Sequence, residues 1–230
     1  MIAVIGDIHG CYFTFKELVG VIKEKYPKIK ICCVGDLVDR GNFSFEVIEF
    51  IKNEKIKFTP GNHDYMFYYF INQPNSEIGQ TWLYNGYEKT LASYENRFDK
   101  IEEHLKLIIN APIFIDSNDC FISHAGISKY YKSKLPKNFQ NNLELLEKII
   151  INDLNNEHGI LWTREELLNI GKLQVVGHTR REEVFFNEQN NIVYIDTSIY
   201  TGNKLSSVIV DNNEIIDIIS AAAKFEDLET

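Results

Sequence analysis

Five short motifs, each placed directly behind an apolar run, constrain this chain more than any other feature. They are Gly6-Asp7-Ile8-His9, Gly35-Asp36-Leu37-Val38-Asp39-Arg40-Gly41, Gly61-Asn62-His63-Asp64, His124-Ala125-Gly126 and Val176-Gly177-His178-Thr179. Ile2-Ala3-Val4-Ile5 leads into the first, Ile31-Cys32-Cys33-Val34 into the second and Ile56-Lys57-Phe58-Thr59 into the third; Cys120-Phe121-Ile122 and Leu173-Gln174-Val175-Val176 lead into the last two. Short apolar runs closed by turn residues predict strands buried on both faces. Glycine at the bend frees the backbone to turn sharply. In open α/β sheets ligands collect beyond the carboxyl ends of strands, so five such ends can serve one site.

The residues at those ends are metal donors. Four of the six histidines (His9, His63, His124 and His178) lie in the motifs. Carboxylate, imidazole and amide oxygen together suit Mn, Fe, Zn and similar divalent ions. A lone Gly-Asp-x-His reads equally well as a turn with a capping Asp. Five such motifs in this order point to chemistry instead.

The remaining pattern predicts the frame around them. Strands over 2–6, 30–35 and 56–60 alternate with helices over about 13–25 and 43–53, a parallel βαβαβ unit. Residues 65–110 read as helical and rich in aromatics, followed by strands at 112–115 and 120–123 and a mostly helical stretch over about 141–155. An alternative reading of Arg164 makes it an ordinary surface residue in the first turn of a helix over 163–169. Beyond His178, strands are expected at 183–186, 192–196, 205–210 and 214–219, with turns at 188–191 and 211–213. The predicted fold is α/β, two packed mixed sheets flanked by helices. Residues 1–230 carry no repeat or Pro/Gly-rich linker and read as a single catalytic domain, with the last residues from about Lys224 free to fray.

The ordered set GDIHG, GDLVDRG, GNHD, HAG and VVGHT resembles the PPP family of metallophosphoesterases, within the calcineurin-like superfamily, over residues 6 to about 211. Trp82-Leu83-Tyr84-Asn85-Gly86 and Leu161-Trp162-Thr163-Arg164-Glu165 add a likeness to its small bacterial serine/threonine phosphatase branch. The family fold is a β-sandwich with outer helices. The resemblance implies two divalent ions, Mn2+ first, with Fe, Zn or a mixed pair as alternatives. Asp7 and His9 would hold one, Asp36 would bridge, and Asn62, His124 and His178 would hold the other. A hydroxide bridging the metals would attack phosphorus directly. By the same resemblance His63 is the general acid oriented by Asp39, Arg40 and Arg164 clamp the phosphoryl group, and Tyr200 is a substrate-side aromatic.

Function is expected to be hydrolysis of phosphoserine and phosphothreonine monoesters, with phosphotyrosine a further substrate. The alternative is hydrolysis of dinucleoside polyphosphates such as diadenosine tetraphosphate. Two departures bear on that choice: the third motif ends in Asp64 where most protein phosphatases have Glu, and Asn42-Phe43 follow Gly41 where Pro is usual. A GNHD ending also occurs in dinucleoside polyphosphate hydrolases. Asp39 favours the phosphatase, because the symmetrical diadenosine tetraphosphate hydrolases typically have another residue there.

Composition agrees with a soluble enzyme. At 230 residues and 44% apolar content the chain can bury a sizeable core. A net charge of −9 with scattered Lys and Arg argues against nucleic acid as a partner. The first strand begins at Ile2, leaving no room for a signal peptide, and no run approaches the ~18 apolar residues of a membrane span. A cytoplasmic enzyme with a phosphorylated protein or small phosphoester as partner is expected. Cys11, Cys32, Cys33 and Cys120 read as buried reduced thiols, with redox control through Cys11 as the alternative. The aromatic run 65–70 reads as a packing face rather than a substrate platform, and His104 as a surface residue; His158 lies close in sequence to Arg164.

Overall fold

The computed structural model describes residues 1–136 and 143–228. Its first part runs β1 (Ile2–Ile5), α1 (Tyr12–Lys25), β2 (Lys30–Cys33), α2 (Ser44–Glu54) and β3 (Lys57–Phe58), the order read from the sequence. β1 pairs in parallel with β2, Ile2 opposite Lys30 and Ile5 opposite Cys33, and β2 pairs in parallel with β3. Strand alternation sorts the side chains into two cores. Ala3 and Ile5 pack with Phe15, Leu18 and Ile22 of α1, whereas Ile2 and Val4 pack with residues of a second sheet. On α1 the buried Phe15, Leu18, Val19 and Ile22 recur at helical spacing, which commits one face to the sheet.

Four helices follow, α3 (Asn62–Asn72), α4 (Glu77–Trp82), α5 (Tyr87–Ser93) and α6 (Ile101–Ile109). The aromatic run lies on α3, where Tyr65, Met66 and Phe67 are buried and the Phe67 ring stacks 5.0 Å from Trp82. It is a packing face. The second sheet comprises β4 (Phe114–Asp116), β5 (Phe121–Ser123), β6 (Gln174–Val176), β7 (Phe185–Asn187) and β8 (Ile192–Tyr194), with α7 (Leu143–Ile150) inserted between β5 and β6. Its order is β4-β5-β6-β8-β7, parallel through β5, β6 and β8 and antiparallel at both edges. β9 (Lys204–Asp211) and β10 (Glu214–Ala222) return antiparallel to the first sheet, giving β10-β9-β1-β2-β3. Val4, Cys32 and Val34 then meet Ile122, Val175 and Val193 across the gap between the sheets. Each such side chain contributes roughly 1.5–3 kcal/mol on burial. The expected pair of mixed sheets with outer helices is what the chain forms.

Several local expectations need correction. Residues 163–169 form no helix: Leu167 bridges antiparallel to Ser128, and the Leu168 and Lys129 N–H groups donate to Ile127 and Glu166 carbonyls. Leu167 also packs against Val176 and Ile192, and that burial overrides helix propensity. His104 is fully buried, its ring between Tyr94 and Glu49. The chain does not fray over 224–228, because α8 (Phe225–Leu228) buries Asp227 against the start of α1, and residues 229 and 230 of that expectation lie outside the described residues. Residues 141 and 142 of the helix expected over 141–155 lie outside the described residues; a 3-10 turn, Ile151–Asp153, follows α7. All four cysteines are free and buried, and burial pushes the Cys11 thiol well above its ordinary value, which opposes the reactive-thiolate alternative. Among the described residues no helix is long and apolar enough to cross a membrane.

Candidate metal centre

Each motif leaves its strand at the same end. β1 leads to Asp7 and His9, β2 to Asp36, Asp39 and Arg40, and β3 to Asn62 and His63 in the first turn of α3; β5 and β6 lead to His124 and His178. The cluster therefore straddles the seam between the sheets, three strand ends from one and two from the other. Asp7, His9, Asp36, Asp39, Asn62, His63, His124 and His178 are all buried, none more than 6% exposed. Reaching this geometry takes unusual backbone. His9, Asp36, Asp39, Arg40 and His178 hold φ at 47°, 48°, 73°, 73° and 60°, a left-handed region that is costly for residues with a Cβ. Gly61 and Gly177 are needed for approach, since a methyl group on either would collide with Asp36 Oδ1 or Asp7 Oδ1 respectively.

The hydrogen bonds around the rings fix what faces the centre. His124 Nδ1–H donates to the Val34 carbonyl at 2.9 Å and His178 Nε2–H to the Trp162 carbonyl at 3.0 Å. Burial holds both imidazoles below their ordinary value, His178 well below, so each is neutral and keeps a lone pair on its other nitrogen. Those nitrogens lie 3.0 and 2.9 Å from Asn62 Oδ1, and His124 Nε2 lies 3.5 Å from Asp36 Oδ1. Electron-rich atoms thus converge, an arrangement that a cation relieves.

His9 repeats the pattern. Its Nδ1–H donates to the Val38 carbonyl at 3.0 Å, burial lowers its pKa well below the ordinary value, and Nε2 lies 3.5 Å from Asp36 Oδ2. The two Asp36 oxygens therefore face different donor groups. Burial opposes the Asp36 charge, but in acid the electrostatic attraction of the His124, His63, His9 and His178 rings outweighs it and keeps the carboxyl below the usual carboxylate range. Burial, with Asp196 and Asp36 nearby, pushes Asp7 well above that range, and burial pushes Asp196 up to about 6. Carboxylates crowded in this way ionise together only when positive charge sits among them. Two donor sets lie with their ligand atoms within 4.8 Å of one another: Asp7, Asp36 and His124, and His9, Asp36 and His63. Asp36 is common to both sets, which group Asp7 with His124 and His9 with His63, whereas the resemblance implies Asp7 with His9 and keeps His63 off the metals; the donor types fit a pair of divalent ions.

His63 differs from the other rings because both its nitrogens are engaged by side chains. Nδ1 lies 2.6 Å from Asp39 Oδ2, and Nε2 accepts from Arg40 Nη2 at 2.9 Å. Asp39 is held in turn by Trp82 Nε1–H, 2.9 Å from each oxygen, and by the Thr90 hydroxyl at 2.7 Å. Gly86, with φ of +86°, accepts the Arg40 N–H at 3.2 Å. The Trp82 to Gly86 segment thus supports Asp39 and Arg40. Arg40 also donates to His9 Nε2 at 3.2 Å and lies 4.0 Å from the centre of the Tyr200 ring. Arg164 is exposed and donates to the His178 carbonyl at 3.1 Å. It borders a cavity of about 370 Å³ lined also by Glu157, His158, Trp162 and Glu165. A wider recess of about 790 Å³ beside Phe58 and Leu107 contains none of the predicted site residues.

The geometry brings every predicted residue to one centre or its rim. The model of the calcineurin-like phosphoesterases matches residues 1–204. The chain belongs to that family. As a calcineurin-like phosphoesterase it is a hydrolase, and the family implies divalent metal ions. It is 30% identical to a protein of Anoxybacillus flavithermus named bis(5'-nucleosyl)-tetraphosphatase PrpE, asymmetrical, over 94% of this chain and 93% of that one. It is 28% identical to the Bacillus cereus protein of the same name, covering 95% and 94%. It superposes on a cold-active protein-tyrosine phosphatase of a psychrophilic Shewanella species with a TM-score of 0.61 and 22% identity, covering 97% of this phosphoesterase and 80% of the other. That last likeness is one of fold.

The relatives overturn the phosphoprotein expectation, since the Anoxybacillus and Bacillus proteins, at 30% and 28% identity, carry a tetraphosphatase name. The misleading step was Asp39. Its presence argues only against the symmetrical hydrolases, and the relatives are asymmetrical ones. Asp64, whose ending favoured the alternative, accepts the Leu37 and Gly61 N–H groups at 2.9 and 2.8 Å and fastens the second motif to the third. Three residues of the site were not singled out by sequence reasoning: Thr90, Asp196 and, as the donor to Asp39, Trp82. Asp196 was within reach, because it follows the apolar Ile192-Val193-Tyr194-Ile195 in the same grammar as the five motifs. Thr90 carries no such signal.

Proposed function

We propose that this phosphoesterase hydrolyses dinucleoside polyphosphates of the diadenosine tetraphosphate class, with residues 1–230 acting as one catalytic domain. The observation that carries the reading is the similarity to tetraphosphatases across 93% and 94% of their length. Asp7 and His9 are assigned to one ion, Asn62, His124 and His178 to the other, and Asp36 to both; the split of the Asp36 oxygens supports the shared role. Two bound dications supply a water acidic enough to attack phosphorus near neutral pH and neutralise phosphoryl charge. Mn2+ is the proposed ion, which the mixed carboxylate, amide and imidazole donors suit.

His63 is assigned the proton for the leaving oxygen rather than a metal, because its Nδ1 faces the buried Asp39 carboxylate, where His9, His124 and His178 each face a backbone carbonyl. Asp39 keeps the proton on Nδ1 and stabilises the imidazolium when Nε2 is also protonated. Arg40 and Arg164 bind the non-bridging oxygens in their planar forks, and phosphate would exchange for the contact Arg40 now makes with His63 Nε2.

The test is a comparison of kcat/KM on diadenosine tetraphosphate and on phosphoserine and phosphothreonine peptides, with Mn2+ and with metal-stripped protein as control. Preference for the dinucleotide, with unequal nucleotide products, is expected. Preference for a peptide would overturn the reading. Returning Mn2+, Fe2+ or Zn2+ singly to stripped protein ranks the ions.

A further inference from the structure

Arginine is distributed unevenly in this acidic chain. There are five arginines, and Arg97 pairs with Glu46 at 2.7 Å away from the centre. The others, Arg40, Arg164, Arg180 and Arg181, lie in or just behind the site motifs, and among the described residues none has a carboxylate within ion-pairing distance. Arg40 and Arg164 belong to the machinery already described. Arg181 rests over the Phe185 and Tyr194 rings, 5.2 Å from each centre, and is occupied in packing. Arg180 has no such role.

Arg180 is exposed, two residues beyond His178, and its Nη1–H donates to the Tyr200 hydroxyl at 2.6 Å. The Tyr200 ring stands edge-on to His9 at 5.0 Å and carries Arg40 over its face. The Arg40 and Arg180 guanidinium carbons lie 4.0 and 5.7 Å from the centre of that same ring, and so less than 10 Å apart. Tyr200 therefore spaces two cations, one touching His9 and His63 and one further out. A phosphomonoester on the metals ends before reaching the second. A chain of bridged phosphates continues towards it, and arginine suits its oxygens by charge and by planar geometry.

We infer that Arg180, held by Tyr200, forms a second anion subsite for the phosphates beyond the scissile one, and so selects a polyphosphate chain over a monoester. The inference deepens the proposed function and rests on it for the identity of the substrate. The subsite itself requires only a polyphosphate.

The experiment uses full-length, Mn2+-loaded protein and the variants Arg180→Ala, Arg180→Lys and Tyr200→Phe, with Arg181→Ala removing an equal charge from the neighbouring position. Each is assayed on diadenosine tetraphosphate and on p-nitrophenyl phosphate, and inorganic tripolyphosphate is titrated both as an inhibitor of the monoester reaction and by calorimetry. Arg180→Ala should lower kcat/KM on the dinucleotide on the order of tenfold to a hundredfold, the worth of a charge-assisted hydrogen bond, through KM. It should weaken tripolyphosphate by a similar factor and leave the monoester within about twofold. Arg180→Lys should recover part of the loss, Tyr200→Phe should weaken tripolyphosphate by a smaller factor, and Arg181→Ala should show little. Equal losses on both substrates, or tripolyphosphate affinity unchanged in Arg180→Ala, overturn the subsite. If wild-type protein does not turn over the dinucleotide, the proposed function fails, and tripolyphosphate affinity still decides the subsite.

Discussion

Three buried imidazoles each give one N–H to a backbone carbonyl, and the nitrogen that remains points at oxygen: His9 and His124 face Asp36, and His124 and His178 face Asn62. The carbonyls of Val38, Val34 and Trp162 thereby set the tautomers, as outer partners of metal-binding histidines do. Asp36→Ala should lose both metal content and activity, because its oxygens serve both donor sets. His63→Ala should keep its metals and lose on the order of 10²–10⁴ in kcat, the usual worth of a general acid. Metal analysis beside turnover separates the two, and loss of metal from the His63 variant would show that the ring is a ligand. Gly177→Ala should behave like Asp36→Ala rather than like a loop substitution, since the added methyl meets Asp7 Oδ1; metal content reads this directly.

Two elements are fastened from unexpected places. The first turn of α1 has no side-chain cap of its own, and the Asp227 carboxylate of α8 takes that part, accepting the Phe13 and Thr14 N–H groups at 2.9 Å each and the Thr14 hydroxyl at 2.6 Å. Asp227→Ala should cost about 1–3 kcal/mol, the range for a lost cap or buried charged hydrogen bond. Denaturant unfolding would measure it; an unchanged midpoint would mean the clamp is idle. His104 joins α6 to α2 and α5, accepting from Tyr94 at Nδ1 over 2.6 Å and donating from Nε2 to Glu49 over 2.8 Å. Burial lowers its pKa below 6.5, so the unfolded chain binds the proton first. Its stabilisation is complete above about pH 6.5 and falls away as pH drops through that value towards the lower folded one. Tm followed from pH 7.5 to 5 should therefore decline less steeply in His104→Gln than in wild type. These fastenings also mark where the sequence stops being legible. The five strand ends and the polar residues behind them could be read because apolar runs closed by Gly, Asp, Asn and His depend on nearest neighbours. His104 beside two glutamates looked like surface, and 163–169 looked helical, because a distant partner decides each: Tyr94 and Glu49 in one case, Ser128, Val176 and Ile192 in the other. The same holds for Asp227, which is 214 residues from Phe13.

Across the whole molecule the donors come from both layers, Asp7, His9, Asp36 and Asn62 from the first sheet and His124 and His178 from the second. A ligand that binds only the folded state stabilises it by about 2.7 kcal/mol at a hundredfold excess over Kd. Mn2+ should therefore raise Tm, and chelation should lower it while abolishing turnover; turnover that survives chelation would rule out the metal assignment. Amide exchange offers a finer reading, since metal removal should speed exchange at the strand ends facing the seam and spare the β9–β10 hairpin. Two ions held there would be a rivet as well as a reagent. They would tie the sandwich together at its mouth, so anything that competes for them in solution would work on the protein mechanically, prising the two layers apart at the edge where the five motifs meet.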